Sequence, residues 1–180
     1  VLGLRAHYES YTKSLRLENF YRADNLLADG DFEDVHSLRH WTTRNFTYVV
    51  RAKEGHTGNY CMQYKGTTNF SAGKGQMGAY AYVLDAVRQY GAGVYRVTFF
   101  AKSDSENLTD ATVGAGLSWH YNANVLSEKM QPLTAEWKKY TFDIELEENL
   151  LLRAKKMAMS VVCENCDSVL IDDVTMIKLP

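Results

Sequence analysis

The chain has 180 residues, enough for one sizeable hydrophobic core, and nothing in it reads as a linker between two. Its formal net charge is -2, from 20 Lys and Arg against 22 Asp and Glu, so the composition carries no basic excess of the kind that draws a protein to nucleic acid. No apolar run reaches the roughly 18 residues of a membrane-spanning helix.

Residues 1–24 read as an N-terminal extension or linker that packs on the domain, with Tyr8, Tyr11, Leu15, Leu17 and Phe20 lining a short helix or an extended arm. The segment lacks the charged start and apolar block of a signal peptide, and its start at Val1 fits a piece excised from a longer chain. Residues 25–180 read as one domain. Asn25 to Leu27 lead into a turn at Gly30 and a core residue at Phe32. From Trp41 a period of two begins. Residues 46–50 are expected as a strand, and Lys53 to Tyr60 (KEGHTGNY) as a Gly-rich loop. Met62 and Tyr64 then alternate with Cys61, Gln63 and Lys65. The Gly-, Ser- and Thr-rich stretch after Gly66 reads as a loop, and its GKG at 73–75 lacks the phosphate-loop pattern.

Tyr80, Tyr82 and Leu84 alternate again, and Gly91 and Gly93 bracket a turn. Tyr95, Val97, Phe99 and Ala101 then share one face of a strand. Leu117, Trp119 and Tyr121 share a face of the next, and Tyr140, Phe142, Ile144 and Leu146 of another. Residues 157–162 and 169–177 supply the last two strands. Only 148–156 has a helical look, and the apolar stripes of crossover helices are missing. Short strands at regular spacing with turn signals predict an all-β fold, a β-sandwich or jelly roll.

Three cysteines form no even framework. Cys163 and Cys166 in CENC could form a disulfide, offer half a zinc site, or flank a hairpin turn built on Glu164 and Asn165. No nucleophile or metalloprotease motif appears, and His56 and His120 stand alone, so no independent catalysis is expected. The carboxylates are more informative. Asp29, Asp31, Glu33 and Asp34 cluster near the start, and Asp172 and Asp173 fall mid-strand near the end. A buried charge needs a partner. A hard cation such as Ca2+, which takes about six to eight oxygens, is one answer; an Asp31 turn cap and an Asp172 ion pair with Arg44 are the other.

Five segments, in order, carry a resemblance. NLLADGDFED followed by Trp41, HTGNYCMQYKG, GAGVYRVTFFAKSDS, WKKYTFDIEL and VLIDDVTMIKL are similar to segments of the galactose-binding-like jelly rolls of carbohydrate-binding modules in families 4, 9 and 22, closest in pattern to family 22. The resemblance covers residues 25–179. It implies a structural Ca2+ held by Glu33 and Asp172 with Asp31 nearby, completed by carbonyls around Lys53 to Gly58. It further implies a sugar site near Arg44 (in WTTR) and Glu164. GTTNFSAG offers Phe70 where the family loop has a tryptophan, without the arginine beside it. Tyr80, Trp119 and Tyr121 are candidates for the aromatic platform, although parity with Leu117 fits core packing of Trp119 and Tyr121 equally well.

The expectation is a secreted or extracellular, possibly cell-surface, monomeric module. It would bind a plant cell-wall polysaccharide or oligosaccharide, such as β-glucan, xylan or a related hemicellulose, for a covalently linked catalytic domain such as a cellulosomal glycoside hydrolase. No nucleic acid or membrane partner is expected. The alternative is a structural or protein-interaction β-sandwich in an extracellular multi-domain protein.

Overall fold

The computed structural model describes residues 25–44, 47–66, 76–118, 126–127 and 130–180. The expected N-terminal extension, residues 1–24, lies outside the described residues. So do Phe70, Trp119, Tyr121 and the GKG stretch.

Two antiparallel sheets face each other. Among the described residues the first contains β1 (Trp41–Arg44), β4 (Gln76–Tyr82), β10 (Ala158–Glu164), β6 (Thr112–Ser118) and β7 (Leu126–Ser127), hydrogen-bonded in that order, with β8 (Gln131–Pro132) also on β6. The second runs β2 (Thr47–Ala52), β3 (Cys61–Gly66), β11 (Ser168–Lys178), β5 (Gly93–Lys102), β9 (Lys138–Leu146). The fold is all-β, a β-sandwich jelly roll.

The strands form where the period-two signal is strongest. On β5, Tyr95, Val97, Phe99 and Ala101 are fully buried, with half-buried residues between them. On β9, Tyr140, Phe142, Ile144 and Leu146 are buried, with exposed Thr141 and Glu145 and half-buried Asp143 between them. The two strands pair so that Phe99 stacks between Tyr140 and Phe142, with ring centroids 5.7 and 5.9 Å away. Ring pairs at this spacing add about 0.5–1.5 kcal/mol each beyond their burial. Tyr64 of β3 reaches across the sandwich, its hydroxyl 2.9 Å from the Cys163 sulfur of β10. Burial pushes both groups well above their ordinary pKa values, so both stay neutral.

Three expectations need correction. Leu84 does not extend the Tyr80–Tyr82 strand but opens a short helix, α1 (Leu84–Tyr90), which ends at Gly91 with φ 79°. Asp85 and Ala86 have weak strand character, and Val87, fully buried, anchors the helix on the core with Leu84 packed against it. The helical look of 148–156 holds as α2 (Glu148–Arg153). Second, Met62, Tyr64, Cys61 and Gln63 do not divide into buried and exposed faces. All four are buried, and the Gln63 side-chain amide donates to Asp104 and to the Ser168 hydroxyl, each at 3.0 Å. Third, CENC does not turn a hairpin. β10 and β11 lie in different sheets, so the segment is a crossing between layers, with Asn165 at φ 58° and its side chain donating to the Asp110 carbonyl at 3.0 Å. All three cysteines are free thiols.

The two ends of the domain meet on β11. Opposite β3, the strand pairs only as far as Ile171; beyond it the residues 25–30 take over. Leu26 N donates to Met176 O at 2.7 Å, and Val174 N donates to Gly30 O at 2.8 Å. The Asn25 side chain bridges the same edge, accepting from Met176 N at 2.9 Å and donating to Val174 O at 3.1 Å. A β-bulge between Asp172 and Thr175, with Asp173 at φ 52°, makes the change of partner possible. Gly30 is obligatory here, since a Cβ would stand 2.0 Å from the Val174 carbonyl oxygen. Gly30→Ala is therefore expected to lower stability by about 2 kcal/mol or more, a drop of about 4–8 °C in Tm for a domain of this size. An unchanged melting curve would refute this account of the joint.

Candidate functional site

Two regions collect the residues singled out in the sequence. The first is a clamp on the loop between β2 and β3. Glu33 Oε1 accepts from the backbone amides of Asn59 and Tyr60, at 2.8 and 2.7 Å. Asp172 Oδ2 accepts from those of His56 and Thr57, at 2.7 and 3.2 Å. One carboxylate from the start of the domain and one from its last strand thus hold the same short loop. Gly58, at φ 64°, lets the loop lie against Glu33; a Cβ there would be 2.5 Å from Oε1. Asp173 adds the loop's side chains, taking His56 Nδ1 at 2.9 Å and the Thr57 hydroxyl at 2.7 Å. The His56 ring stacks on Phe100 at 3.6 Å. Arg51 closes the other side, donating to the Phe32 carbonyl at 2.7 Å and to the Glu33 carbonyl, with its guanidinium 3.4 Å over the Tyr60 ring.

Asp172 is fully buried. Burial, reinforced by the Asp173 charge, pushes its carboxyl pKa up to about 6 against the pull of the surrounding amides. The same desolvated corner, with Asp172 and Glu54 nearby, pushes the Cys61 thiol up to about 12. Asp31 is exposed, and its Oδ1 accepts from Glu33 N in its own turn at 3.5 Å. Among the described residues no group of three or more His, Cys, Asp and Glu side chains converges as a metal cage. The clamp has two carboxylates of opposite chain ends, one of them desolvated, against a loop that approaches through Gly58 and turns backbone N–H groups toward both.

The second region is the outer face of the first sheet. Its core side is set by Ala79 and Ala81 on β4, Met159, Val161 and Cys163 on β10, and Val113, Ala115 and Leu117 on β6. Strand alternation leaves the other positions for the outer face. The registers align them in rows: 44, 78, 162 and 114; then 42, 80, 160 and 116; then 82, 158 and 118; with 76, 164 and 112 at the near end. Positions 44, 80 and 164, far apart in the chain, therefore fall on one face. The middle of that face is small and shielded. Ala158, Ser160 and Val162 are buried, and the Met130 sulfur lies over Gly114, 2.3 Å from where a Cβ would be. Glu164 is half-buried at one end. Tyr82, at the other end, is 57% exposed. Tyr82 alternates with Tyr80 in the sequence, but its place at the exposed end of β4 is set by the fold.

If the carboxylates hold the loop as described, Glu33→Ala or Asp172→Ala leaves two amides without partners. Each change is expected to cost about 1–3 kcal/mol and to speed hydrogen exchange at residues 56–60 while β5 and β9 stay protected. Exchange unchanged in that loop would count against the clamp.

No family model matches the chain, and no curated protein matches it. Solved structures do. The chain is similar to the xylan-binding family-22 module CBM22-1 of Xyn10C from Paenibacillus barcinonensis, at TM-score 0.63 and 17% identity, over 87% of this chain and 95% of that one. It is similar to TmCBM61, solved in complex with β-1,4-galactotriose, at TM-score 0.54 and 22% identity, over 86% and 99%. It is also similar to the CBM22-1 and GH10 modules of Xyn10B from Clostridium thermocellum, complexed with xylohexaose, at TM-score 0.55 and 18% identity. There it covers 88% of this chain and only 27% of the larger one. At these identities the likeness is one of fold.

Proposed function

We propose that this domain is a non-catalytic carbohydrate-binding module that holds a plant cell-wall polysaccharide, β-glucan, xylan or a related hemicellulose, for an attached polysaccharide-degrading enzyme. The observation that carries the reading is the strand register. It gathers positions 44, 80 and 164 on one face of a sandwich whose fold is that of modules solved with xylohexaose and galactotriose. Aromatic faces cover sugar C–H surfaces, while Arg44 and Glu164 hydrogen-bond hydroxyls; wrong epimers leave those polar groups unpaired. Phe70, Trp119 and Tyr121 are proposed to complete the contact. The working setting is extracellular, secreted or at a cell surface, as a monomer within a longer chain, with a cellulosomal enzyme as one fit.

The module acts without chemistry of its own. Glycoside hydrolysis needs two carboxyl groups facing each other across a cleft, roughly 5 to 9.5 Å apart. Glu33 and Asp172 instead have their oxygens occupied by loop amides, a structural task. In the same reading Glu33 and Asp172, with Asp31 nearby and carbonyls of the 53–58 loop, hold a structural Ca2+. The ion would neutralise the desolvated Asp172 and stabilise the folded state by mass action.

Affinity electrophoresis across xylan, mixed-linkage glucan, xyloglucan, mannan and pectin tests the reading. Retention on at least one is expected, and Arg44→Ala, Tyr80→Ala or Glu164→Ala should reduce it about tenfold or more with Tm unchanged. Retention on none would turn the assignment to a structural or protein-interaction module. For the ion, adding millimolar Ca2+ after chelation is expected to raise Tm in the native domain and not in Glu33→Ala. Equal melting with and without Ca2+ would remove the ion from the account.

A further inference from the structure

Beyond the outer face of the first sheet, at its Tyr82 end, the chain forms a pocket of about 590 Å3, within the range of small-ligand sites. Its lining includes Tyr82, Leu84, Asp85, Lys155, Lys156 and Met157. Two segments build it: the turn from β4 into α1, and the turn from α2 into β10. They are locked to each other. Val83 N donates to Met157 O at 2.9 Å, and the Arg88 guanidinium donates to Ala154 O at 3.0 Å. The buried Val83 and Met157 side chains anchor the floor. A pocket held in this way is preformed, so a ligand loses little affinity to ordering it.

Its chemistry differs from that of the rest of the domain. The chain as a whole is formally -2, yet this pocket holds two lysines against one aspartate. Lys155 and Lys156 are exposed, as is Asp85. Tyr82 joins the pocket to the proposed sugar-binding face, since it stands on that face in the row of Ala158 and also lines the pocket. A ring, two ammonium groups and one carboxylate at the end of a polysaccharide track fit one kind of sugar. The ring covers a pyranose face, Asp85 accepts from hydroxyls, and the ammonium groups pair with a carboxylate on the sugar.

We propose that the pocket beside Tyr82 is a subsite for a uronic acid unit, with Lys155 and Lys156 recognising its carboxylate. The proposal rests on the carbohydrate-binding reading and narrows it to acid-bearing polymers. Solvent-exposed ion pairs are individually weak, so two of them set a preference of about threefold to tenfold rather than an absolute requirement. The preference is also sensitive to salt, because exposed charges are screened.

The test is affinity electrophoresis on matched polymers: glucuronoxylan and pectic galacturonan, each beside its carboxyl-reduced, neutral counterpart. The native domain should be retained about threefold to tenfold more strongly by the acidic member of a pair, and about 0.5 M NaCl should erase the difference. Lys155→Ala with Lys156→Ala should equalise the pair while leaving retention on the neutral polymer and Tm unchanged. Lys155→Glu should reverse the preference. Tyr82→Ala should weaken retention on both members. Equal retention of acidic and neutral polymers by the native domain overturns the subsite and leaves the carbohydrate-binding reading standing. So does a preference that survives the double lysine change. Retention on no polymer of this set or of the five-polysaccharide panel overturns both.

Discussion

Asp172 sits fully buried in the middle of the last strand, where a charge should be costly, and it is tolerated because backbone amides of a distant loop surround it. Glu33 does the same from the other end of the domain. Around these two groups the chain changes direction three times. β11 bulges, its partner on one edge switches from β3 to residues 25–30, and the loop between β2 and β3 folds back over the joint. Each of these leaves backbone groups in need of partners, and the carboxylates and the Asn25 side chain supply them. The closure of the sandwich at this end is thus a matter of polar satisfaction more than of hydrophobic burial.

The opposite is true of the middle. There the Tyr64, Tyr95, Phe99, Tyr140 and Phe142 rings fill the space between the sheets, all fully buried. Tyrosine serves because each buried hydroxyl finds a partner: Tyr64 the Cys163 sulfur, Tyr95 the Gly91 carbonyl at 2.5 Å, Tyr140 the Pro132 carbonyl at 3.0 Å. Trp41 is the exception, its buried indole N–H lacking a partner among the described residues although its ring packs on Phe32 at 5.5 Å. Three of the chain's twelve tyrosines, Tyr64, Tyr95 and Tyr140, are therefore core material, whereas Tyr82 is exposed on the outer face at the end of β4.

The outer face proposed to bind sugar follows from the same layering. With the inner face of the first sheet committed to the core, its outer face carries the residues left over by alternation. Small residues at Gly78, Gly114, Gly116, Ala158 and Ser160 keep that face low, and larger positions rise at its ends. The outer face and the end pocket of distinct charge are then two parts of one surface, continuous through Tyr82.

The strands β5 and β9 were legible residue by residue, because strict alternation of large apolar side chains allows only one sheet face to be buried. The meeting of the two chain ends was expected from the family resemblance, since the acids alone fitted a shared ion and a turn cap with a separate ion pair equally well. The loop amides that both acids accept from were not legible, because loop amides, an ion and an arginine suit a carboxylate equally well in a sequence, and only the fold brings residues 56–60 to them. Helix α1 escaped because seven residues carry too little periodicity to separate it from the strand before it. The crossing at Cys163 to Cys166 escaped because a tight turn within a sheet and one between sheets use the same residues. The pocket beside Tyr82 joins residues more than seventy positions apart, and no local pattern marks such a pairing. Local chemistry determined which segments are strands and which face each buries; the register between distant strands decided which of the remaining side chains became neighbours.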